Sequence, residues 1–418
     1  MEILDDACKN DGDSDYDTGD EGDYDCDANH NHDQDHVSND GCIDSIACAT
    51  NLDHGRISEL IERGNLCKVY GTNKPLWHFH KGASGMGAGT VVFCGDSPEI
   101  YNGFPKIRRA LMLDACIKKH FHNINTVAVE EKMNGFNVRL VLVDGEVMVF
   151  TRGGFFCPYS TQKARQLVDR TIFDEHPDFV LHCEMVGPHN PYVPRDVYNV
   201  ESVAFYIFDI RYKGSGIPLS VVQRCEFVEQ YGLLSVRLFG IYALDGAAPF
   251  IWDIIKRLGP EGREGVVIKD PLMVEVPIKY TCSQSNCADL AHAFSYYHDY
   301  GQDFLYSRVV REGYQTIEWG ENEVEFKERC LRLGECMLSS MAETIRKKQR
   351  GDDIYEDIQI KTDQPTALEF QTHLRRMGIG ALFSEGIKQE DGEYIYQIKK
   401  LKMSTNDKTD SILSGDVW

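Results

Sequence analysis

The chain has 418 residues, enough for about two to four domains, and its 42% hydrophobic and 26% charged residues are ordinary for a soluble globular protein. No apolar run approaches the length of a membrane span, which is roughly 20 residues. The N-terminus also lacks the basic segment followed by an apolar one that is typical of a signal peptide. We therefore expect a cytoplasmic protein without a membrane partner. Its 14 cysteines include no C-x-x-C pair, which excludes the common structural zinc sites, and its net charge of −22 does not by itself favour a polyanionic partner.

The negative charge is concentrated at the N-terminus. Residues 1–40 contain 15 Asp and Glu side chains against one basic residue, Lys9, whereas the rest of the chain carries a net charge of only −8. A segment this polar cannot bury enough apolar surface to offset its loss of conformational entropy. We therefore predict a disordered acidic tail at residues 1–50. The mildly acidic remainder can still carry a local basic groove, which leaves nucleic-acid binding open.

Order is predicted to begin with an N-terminal module at residues 51–98. A short helical pattern starts near Ile57, and a glycine-rich loop at 82–89 leads into a strand at 90–94. The loop lacks the Gly-Lys-Ser/Thr ending of a Walker phosphate loop, so its glycines alone are weak evidence for a nucleotide. A helical pattern near 107–120 follows.

Strands dominate the next segment, residues 99–285. The dipeptide Asp144-Gly145 between two apolar runs is the strongest short signal for a hairpin. Helical stretches separate the other strands, and this arrangement predicts an α+β domain built on antiparallel sheet. The predicted strands are residues 138–143, 146–151, 179–186, 203–211 and 265–269, and the helices between them are 161–170 and 220–231.

The pattern changes after Tyr280. Apolar residues recur at three- and four-residue intervals at 288–297 and 323–348, which predicts a helical domain at residues 286–350. Residues 351–418 then show one strand, a helix, two strands and a short helix. We therefore predict a small, separate α+β domain at the C-terminus.

Three lysines carry the main indication of chemistry. Lys132 ends a predicted strand and is followed by Gly135, which would allow a ligand to approach the backbone closely. A lysine attacks only when it is neutral, which requires burial or nearby cations. Lys269 and Lys279 would supply those cations, and would bind a phosphate, if neighbouring strands direct both into one pocket. Alternatively, Lys132 is a surface residue and Lys269 is the exposed end of a buried strand.

Six short motifs follow one another in a fixed order around these lysines. They are Lys-x-x-Gly at 132–135, Thr-Arg-Gly-Gly at 151–154, Leu-His-Cys-Glu-Met-Val-Gly at 181–187, Phe-Tyr-Ile-Phe-Asp-Ile-Arg at 205–211, Glu-Gly-Val-Val-Ile-Lys at 264–269 and Lys-Tyr at 279–280. Their order resembles that of the covalent nucleotidyltransferases, which include ATP-dependent ligases and mRNA capping enzymes. Residues 103–107, 129–139, 184–192 and 303–312 are similar, more specifically, to the archaeal homodimeric ATP-dependent RNA ligases (RNA ligase family 3). The resemblance runs from about residue 60 to the C-terminus and does not include the acidic tail.

This resemblance implies a nucleotidyltransferase (adenylation) domain at 99–285 and a three-step joining reaction. Lys132 would attack the α-phosphorus of ATP to form lysyl-AMP, AMP would pass to the 5′-phosphate of an RNA, and a 3′-hydroxyl would displace AMP. Such transfers depend on in-line positioning and charge neutralisation, so Mg²⁺ or Mn²⁺ is implied. The implied partners are a single-stranded RNA with a 5′-phosphate and a 3′-hydroxyl, and a second copy of the chain bound through residues 286–350.

The resemblance also implies roles for single residues. Glu131 would accept a hydrogen bond from the adenine amino group, and Asn137 would contact the ribose or a phosphate. Arg152 would grip a phosphate or the RNA 5′ end, for which its forked guanidinium is better suited than lysine. Phe208 would stack on the adenine, with Tyr206 of the same strand as its rival. Taken singly, most of these residues are better explained as surface charges, a turn residue and core aromatics. Taken together, the motifs favour a functional role for Lys132, Arg152, Glu184, Glu264, Lys269 and Lys279.

Glu184 and Glu264 are the candidate metal ligands. Glu184 lies within an apolar strand, where an unpaired carboxylate is costly, so a ribose, a metal or a buried salt bridge should satisfy it. Glu264 takes its metal role from the resemblance, which places it close to the reacting phosphates. Lys269 and Lys279 are implied to be catalytic and to bind the phosphates of ATP.

Two other functions stay open at this point. A DNA ligase or guanylyltransferase would carry the same motifs, but those enzymes usually append an oligonucleotide-binding barrel after the last lysine motif, and here helices follow. A non-catalytic RNA-binding protein with a decayed ligase fold is the second, although Lys132, Glu264, Lys269 and Lys279 are all present. The physiological RNA, and the choice between circularisation and joining of two strands, are not indicated by these motifs.

Overall fold

The computed structural model describes residues 40–417, and its first helix, α1 (Asp40–Thr50), lies inside the predicted tail. Ile46 of α1 is fully buried and packs in one cluster with Ile57 and Phe79, while Ile43 is partly buried against the same cluster. The spacing of Ile43 and Ile46 gives α1 an apolar side that the acidic composition of the surrounding segment obscured. The tail prediction was therefore wrong for residues 40–50, and its remainder lies outside the described residues.

The N-terminal module is an antiparallel sheet packed against two helices. After α1 its elements are α2 (His54–Glu62), β1 (Leu66–Lys68), β2 (Leu76–Phe79), β3 (Val91–Phe93) and β4 (Glu99–Tyr101). The strands pair in the order β1-β2-β3-β4, and the predicted helix near Ile57 and strand at 90–94 are confirmed as α2 and β3. The glycine-rich loop at 82–89 connects β2 to β3.

The central domain contains two sheets. Its elements are β5 (Arg108–Arg109), α3 (Leu113–His120), β6 (Thr126–Lys132), β7 (Phe136–Val143), β8 (Glu146–Thr151), α4 (Pro158–Leu167), α5 (Thr171–Glu175), β9 (Phe179–Val186), β10 (Ala204–Tyr212), α6 (Val221–Gln230), β11 (Leu238–Ala243), α7 (Ala247–Leu258), β12 (Gly265–Lys269) and β13 (Ile278–Thr281). One sheet has the order β10-β9-β7-β8 and the other β11-β6-β12-β13-β5, with only β13–β5 parallel. Because β6 and β7 belong to different sheets, the sheets diverge at the turn that follows Lys132.

The predicted antiparallel α+β fold is confirmed. Strands β9 and β12 have the predicted bounds, and the hairpin turn at Asp144 and Gly145 has φ values of 47° and 74°, as a tight two-residue turn requires. The helix predicted near 107–120 begins only at Leu113. The preceding residues extend the sheet as β5 instead, where Arg109 Nη1 donates to Thr281 Oγ1 at 2.7 Å.

Helices and a second α+β unit complete the chain. The helical domain consists of α8 (Ser283–Ser295), α9 (Gln302–Glu318) and α10 (Glu323–Gln349). The C-terminal domain consists of β14 (Tyr355–Thr362), α11 (Gln364–Arg376), β15 (Ala381–Phe383), β16 (Ile387–Lys388), β17 (Tyr394–Leu401) and α12 (Met403–Leu413). Three strands follow α11 rather than the predicted two, because β15 and β16 are very short and both pair with β17. Within residues 40–417 no helix is both long and apolar enough to cross a bilayer.

The C-terminal domain is not the separate unit that the sequence predicted. Ile360 and Phe370 are fully buried in the same cluster as Leu140 and Leu181 of the central sheet. Polar contacts join the two domains as well, since Lys163 Nζ of α4 lies 2.7 Å from a carboxylate oxygen of Glu393. One continuous core therefore fixes the C-terminal domain on the face of the β10-β9-β7-β8 sheet.

Candidate active site

A pocket between the two central sheets collects the residues predicted to form a site. Glu131, Lys132, Asn137, Arg152, Glu184, Phe208, Lys269 and Lys279 all line it. Glu264 reaches it through a contact with Lys132. The other lining residues are Phe104, Ile107, Glu130, Met133, Val236, Val267 and Pro277. The structure thus brings together every predicted site residue.

Lys132 is delivered to the pocket by the last position of β6, where it pairs with Gly265 of β12. Its Nζ lies 2.8 Å from the Glu264 carboxylate, and the two side chains are 17% and 11% exposed. This ion pair fixes the amine at the pocket wall. Because both side chains keep some exposure, a ligand can still reach the amine.

The turn after Lys132 is closely packed against β9. The N–H of Gly135 donates to Glu184 Oε1 at 3.0 Å, and a Cβ on Gly135 would lie only 2.5 Å from the Met185 carbonyl oxygen. This glycine is therefore explained by the approach of β9, whereas the sequence suggested the approach of a ligand. The same contact gives the Glu184 carboxylate a polar partner inside its apolar strand.

Lys269 and Lys279 lie on the neighbouring strands β12 and β13, as predicted, and both are almost fully buried. Lys269 Nζ donates to the Phe208 carbonyl oxygen at 2.6 Å and lies 2.7 Å from Glu130 Oε2. Glu130, which is 1% exposed, also accepts from Arg224 of α6. Sequence analysis missed Glu130 and Arg224. Glu130 could have been predicted from the alternation of side chains along a strand, because it precedes Lys132 by two residues and therefore lies on the same strand face.

Glu131 already has a partner in the structure. Arg263 Nη1 lies 3.0 Å from Glu131 Oε1, and the Arg263 guanidinium stacks over the Tyr198 ring at 4.4 Å. Burial raises the pKa of Glu131, and the attraction of Arg263 only partly offsets that effect. Sequence analysis also missed Arg263, although it directly precedes Glu264.

A β-bulge decides between the two candidate aromatic residues. The pairing of β10 with β9 shifts between Ile207 and Asp209, and Phe208 at the shift lines the pocket. Its ring contacts that of Phe104 edge to face, with centroids 5.1 Å apart. Tyr206 and Phe208 both pack against the cluster that contains Met133, but Tyr206 does not line the pocket. Phe208 is therefore the aromatic residue of β10 that can contact a ligand in this pocket.

The N-terminal module supports the turn that carries Arg152. A Cβ on Gly89, whose φ is +79°, would lie 1.9 Å from the Arg152 carbonyl oxygen, and His78 Nδ1 lies 2.9 Å from the Gly153 carbonyl oxygen. The buried Arg139 donates from Nη1 to the Asn102 carbonyl oxygen at 2.9 Å. This module therefore fixes one wall of the pocket although it contributes no lining residue from its own strands.

The carboxylates suit a divalent cation that is shared with a ligand. Among the described residues no group of three or more His, Cys, Asp or Glu side chains is arranged to hold a metal. Mg²⁺ is usually bound by one or two carboxylates together with water and substrate phosphates, and Glu264 and Glu184 fit that pattern. Their oxygens also engage Lys132 and the Gly135 N–H, so the pair is fixed before any ion arrives.

Comparison with known proteins identifies the family. The family model described as RNA ligase matches residues 125–281, and the model described as Ligase Pab1020 C-terminal region matches residues 292–416. A solved archaeal ATP-dependent RNA ligase is 42% identical, has a TM-score of 0.85, and aligns over 90% of this chain and 99% of that one. The chain belongs to the RNA ligase family. The motif resemblance to archaeal RNA ligases is thereby confirmed.

Other relatives of this RNA ligase family member agree in sequence or in fold. A second form of the archaeal ATP-dependent RNA ligase has a TM-score of 0.84 at 42% identity and covers the same shares of both chains. An uncharacterised protein of Methanocaldococcus jannaschii is 40% identical over 349 residues, which are 81% of this chain and 88% of that protein. A putative ATP-dependent DNA ligase from Aquifex aeolicus has a TM-score of 0.81 at 24% identity, covering 88% of this chain and 100% of its own. That last likeness shows a shared fold alone.

Proposed function

We propose that this protein is an ATP-dependent RNA ligase that carries AMP on Lys132. The observation that supports this most directly is the placement of the Lys132 amine in a pocket with two further lysines, Lys269 and Lys279, and with the Glu264 carboxylate. Membership in the RNA ligase family supports the same reaction class.

In the first step the Lys132 amine attacks the α-phosphorus of ATP. The new P–N bond forms as the bond to pyrophosphate breaks, and the proton of the amine leaves to the Glu264 carboxylate or to water. Lys269 and Lys279, whose side chains are almost fully buried, neutralise the charge that develops on the α-phosphate. Glu264 and Glu184 would hold a divalent cation, which would supply further charge neutralisation on the phosphates. Phe208 stacks on the base.

In the second step the adenylyl group passes from Lys132 to the RNA, and in the third step the two RNA ends are joined. The RNA 5′-phosphate attacks the lysyl-AMP phosphorus and releases the Lys132 amine. A 3′-hydroxyl then attacks the terminal phosphate, forms the new phosphodiester bond and releases AMP. Arg152 lines the pocket on a turn held by the N-terminal module, which suits it to bind the RNA 5′-phosphate through a forked, bidentate contact.

A single-stranded RNA with a 5′-phosphate and a 3′-hydroxyl is the proposed substrate, and circularisation the expected result. After Lys279 the described chain continues into α8–α10 rather than into the duplex-binding barrel expected of a DNA ligase or guanylyltransferase. RNA differs from DNA by its 2′-hydroxyl, so the preference should arise near the reacting ends. We further propose that this chemistry takes place in the cytoplasm.

A race between two oligonucleotides tests the RNA assignment. The 5′-phosphorylated single-stranded RNA should be closed into exonuclease-resistant circles faster than DNA of the same sequence at one salt concentration. Raised salt should slow both, because cations such as Arg152 hold the phosphates. Equal rates, or faster closure of the DNA, would overturn the RNA assignment and leave the ligase assignment standing.

We also propose that α10 pairs two copies of the chain. Val324, Leu331 and Leu338 recur every seven residues on α10 and are 65%, 64% and 67% exposed, so they form an uncovered apolar stripe along the helix. Heptad spacing of this kind is typical of helices that pack against a second helix. Light scattering should give twice the chain mass of 47.5 kDa, and Leu331→Glu with Leu338→Glu should give the monomer mass. A monomeric wild type at micromolar concentration would contradict the dimer.

A further inference from the structure

Tyr280 lies beside Lys279 on β13 but faces away from the pocket. Side chains alternate along a strand, so Lys279 points to one side of the sheet and Tyr280 to the other. Lys279 lines the pocket. Tyr280 is 2% exposed and packs in the apolar cluster beneath the β11-β6-β12-β13-β5 sheet. A shift or rotation of β13 that moves the Tyr280 ring must therefore move the Lys279 amine as well.

The end of α9 and the residue that follows it hold the Tyr280 hydroxyl. The hydroxyl donates to Glu318 Oε2 at 2.6 Å, and it accepts from Gln315 Nε2 and Trp319 Nε1, both at 3.2 Å. A phenol hydroxyl has one donor and two acceptor positions, so all three are used. Burial and the Glu318 carboxylate both raise the pKa of Tyr280, which keeps the hydroxyl protonated as a donor. The helical domain therefore holds the hydroxyl, while the ring packs in the cluster beneath its own sheet.

The groups that hold Tyr280 are themselves fixed. The other carboxylate oxygen of Glu318 accepts from the Leu113 N–H at the start of α3. Arg329 of α10 donates to Gln315 Oε1 at 3.2 Å, and its guanidinium lies 5.5 Å from the centre of the Trp319 ring. A continuous set of contacts thus runs from α10 through α9 to β13.

We propose that Tyr280 is a positioning residue through which the helical domain sets the position of Lys279. This inference rests on the proposed function, because it assigns Tyr280 its effect through the phosphate contact of Lys279. It also gives the helical domain a role in catalysis beyond joining two chains. The motif Lys-Tyr is then a pair in which one member binds the ligand and the other anchors the strand.

A double-mutant cycle on the full-length protein separates positioning from general stability. The measured quantity is the rate of covalent labelling by α-labelled ATP at saturating concentration, well below the melting temperature. Tyr280→Phe and Lys279→Ala should each lower the rate, Tyr280→Phe by about tenfold, and the double variant should be no slower than Lys279→Ala within about twofold. Non-additivity of this kind is expected only if Tyr280 acts through Lys279.

Three further variants, at two positions, control for folding. Glu318→Gln keeps one acceptor oxygen for the Tyr280 hydroxyl but places an amide donor beside the Leu113 N–H, so it should lose less of the rate than Glu318→Ala, which should match Tyr280→Phe. Thr344→Val removes a partly buried hydrogen bond, 2.8 Å long, to the Ser295 carbonyl oxygen elsewhere in the helical domain, and it should leave the labelling rate unchanged.

The outcomes distinguish this inference from the proposed function. If wild type is labelled but the losses of Tyr280→Phe and Lys279→Ala multiply in the double variant, Tyr280 is only a structural residue and the inference fails alone. If Thr344→Val slows labelling as much as Tyr280→Phe does, the inference fails in the same way. If wild type is not labelled at all, the proposed function and this inference fail together.

Discussion

Replacement of Glu130 by alanine tests whether buried charges hold the pocket together. Glu130 is 1% exposed, and its carboxylate lies between Lys269 Nζ and Arg224 Nη2. Alanine removes the negative charge and leaves both cations in the interior, at 3% and 2% exposure. The phosphate-facing Lys269 then loses the partner that fixes its position.

The expected cost follows from the burial of all three groups. Removing one partner of a buried ion pair lowers the free energy of unfolding by about 3–5 kcal/mol. Each kcal/mol lowers the melting temperature of a cooperative unit of 150–250 residues by about 2–4 °C, so the full range is about 6–20 °C. Lys269 keeps its bond to the Phe208 carbonyl oxygen and Arg224 keeps one to Ile207, so we expect a value near the lower end, about 6–10 °C.

Calorimetry at pH 7 on wild type, Glu130→Ala and Glu131→Ala provides the measurement and its control. Glu131 pairs with Arg263, whose side chain is 25% exposed, so water can solvate that cation once its partner is gone. The fall for Glu131→Ala should therefore be less than half that for Glu130→Ala. Equal falls in the two variants, or none in Glu130→Ala, would refute the reasoning.

Two further predictions concern the N-terminal module and the C-terminal domain. Gly89→Ala should lower the free energy of unfolding by more than about 3 kcal/mol in urea titrations, because φ is +79° and the new Cβ would meet a backbone carbonyl oxygen at 1.9 Å. Gly85→Ala, at φ +83° with open space around it, should cost only about 1–2 kcal/mol, and similar costs for both would contradict the packing argument. In the C-terminal domain, burial alone would raise the pKa of Glu356, but Lys400 and Lys402 outweigh it and lower that pKa from 4.5 to about 2. Because the folded pKa is the lower one, about 3 kcal/mol of stability should be present above pH 4.5 and be lost as the pH falls toward 2. Glu356→Gln should flatten that part of the curve of melting temperature against pH. An unchanged curve would show that Glu356 does not cause this loss of stability.

Local patterns predicted the parts of the fold that depend on neighbouring residues. The hairpin at Asp144 and Gly145 and the bounds of β9 and β12 follow from turn residues and apolar runs a few positions long. The order of the lysine motifs likewise identified the strands that bring Lys132, Lys269 and Lys279 together. Each of these signals is contained within a short stretch of sequence.

Contacts between distant segments could not be predicted in this way. Arg224 binds Glu130 across 94 positions of sequence. Arg263, the partner of Glu131, lies in the connection between α7 and β12. The shared core of the central and C-terminal domains has the same origin, since the apolar alternation of β14 does not say which surface covers it. Helix α1 was missed for a different reason, because an average over the acidic segment hid its few apolar residues.

Covalent labelling by ATP tests the central claim most directly. Wild-type protein incubated with α-labelled ATP should retain the label on a denaturing gel, and Lys132→Ala should retain none, because only the Lys132 amine forms the phosphoramidate. The same variant should still seal RNA that already carries AMP on its 5′-phosphate, a step that needs no nucleophilic lysine. Lys118→Ala, which alters a half-exposed lysine paired with Asp114 on α3, should be labelled like wild type. Label retained by Lys132→Ala would contradict the account.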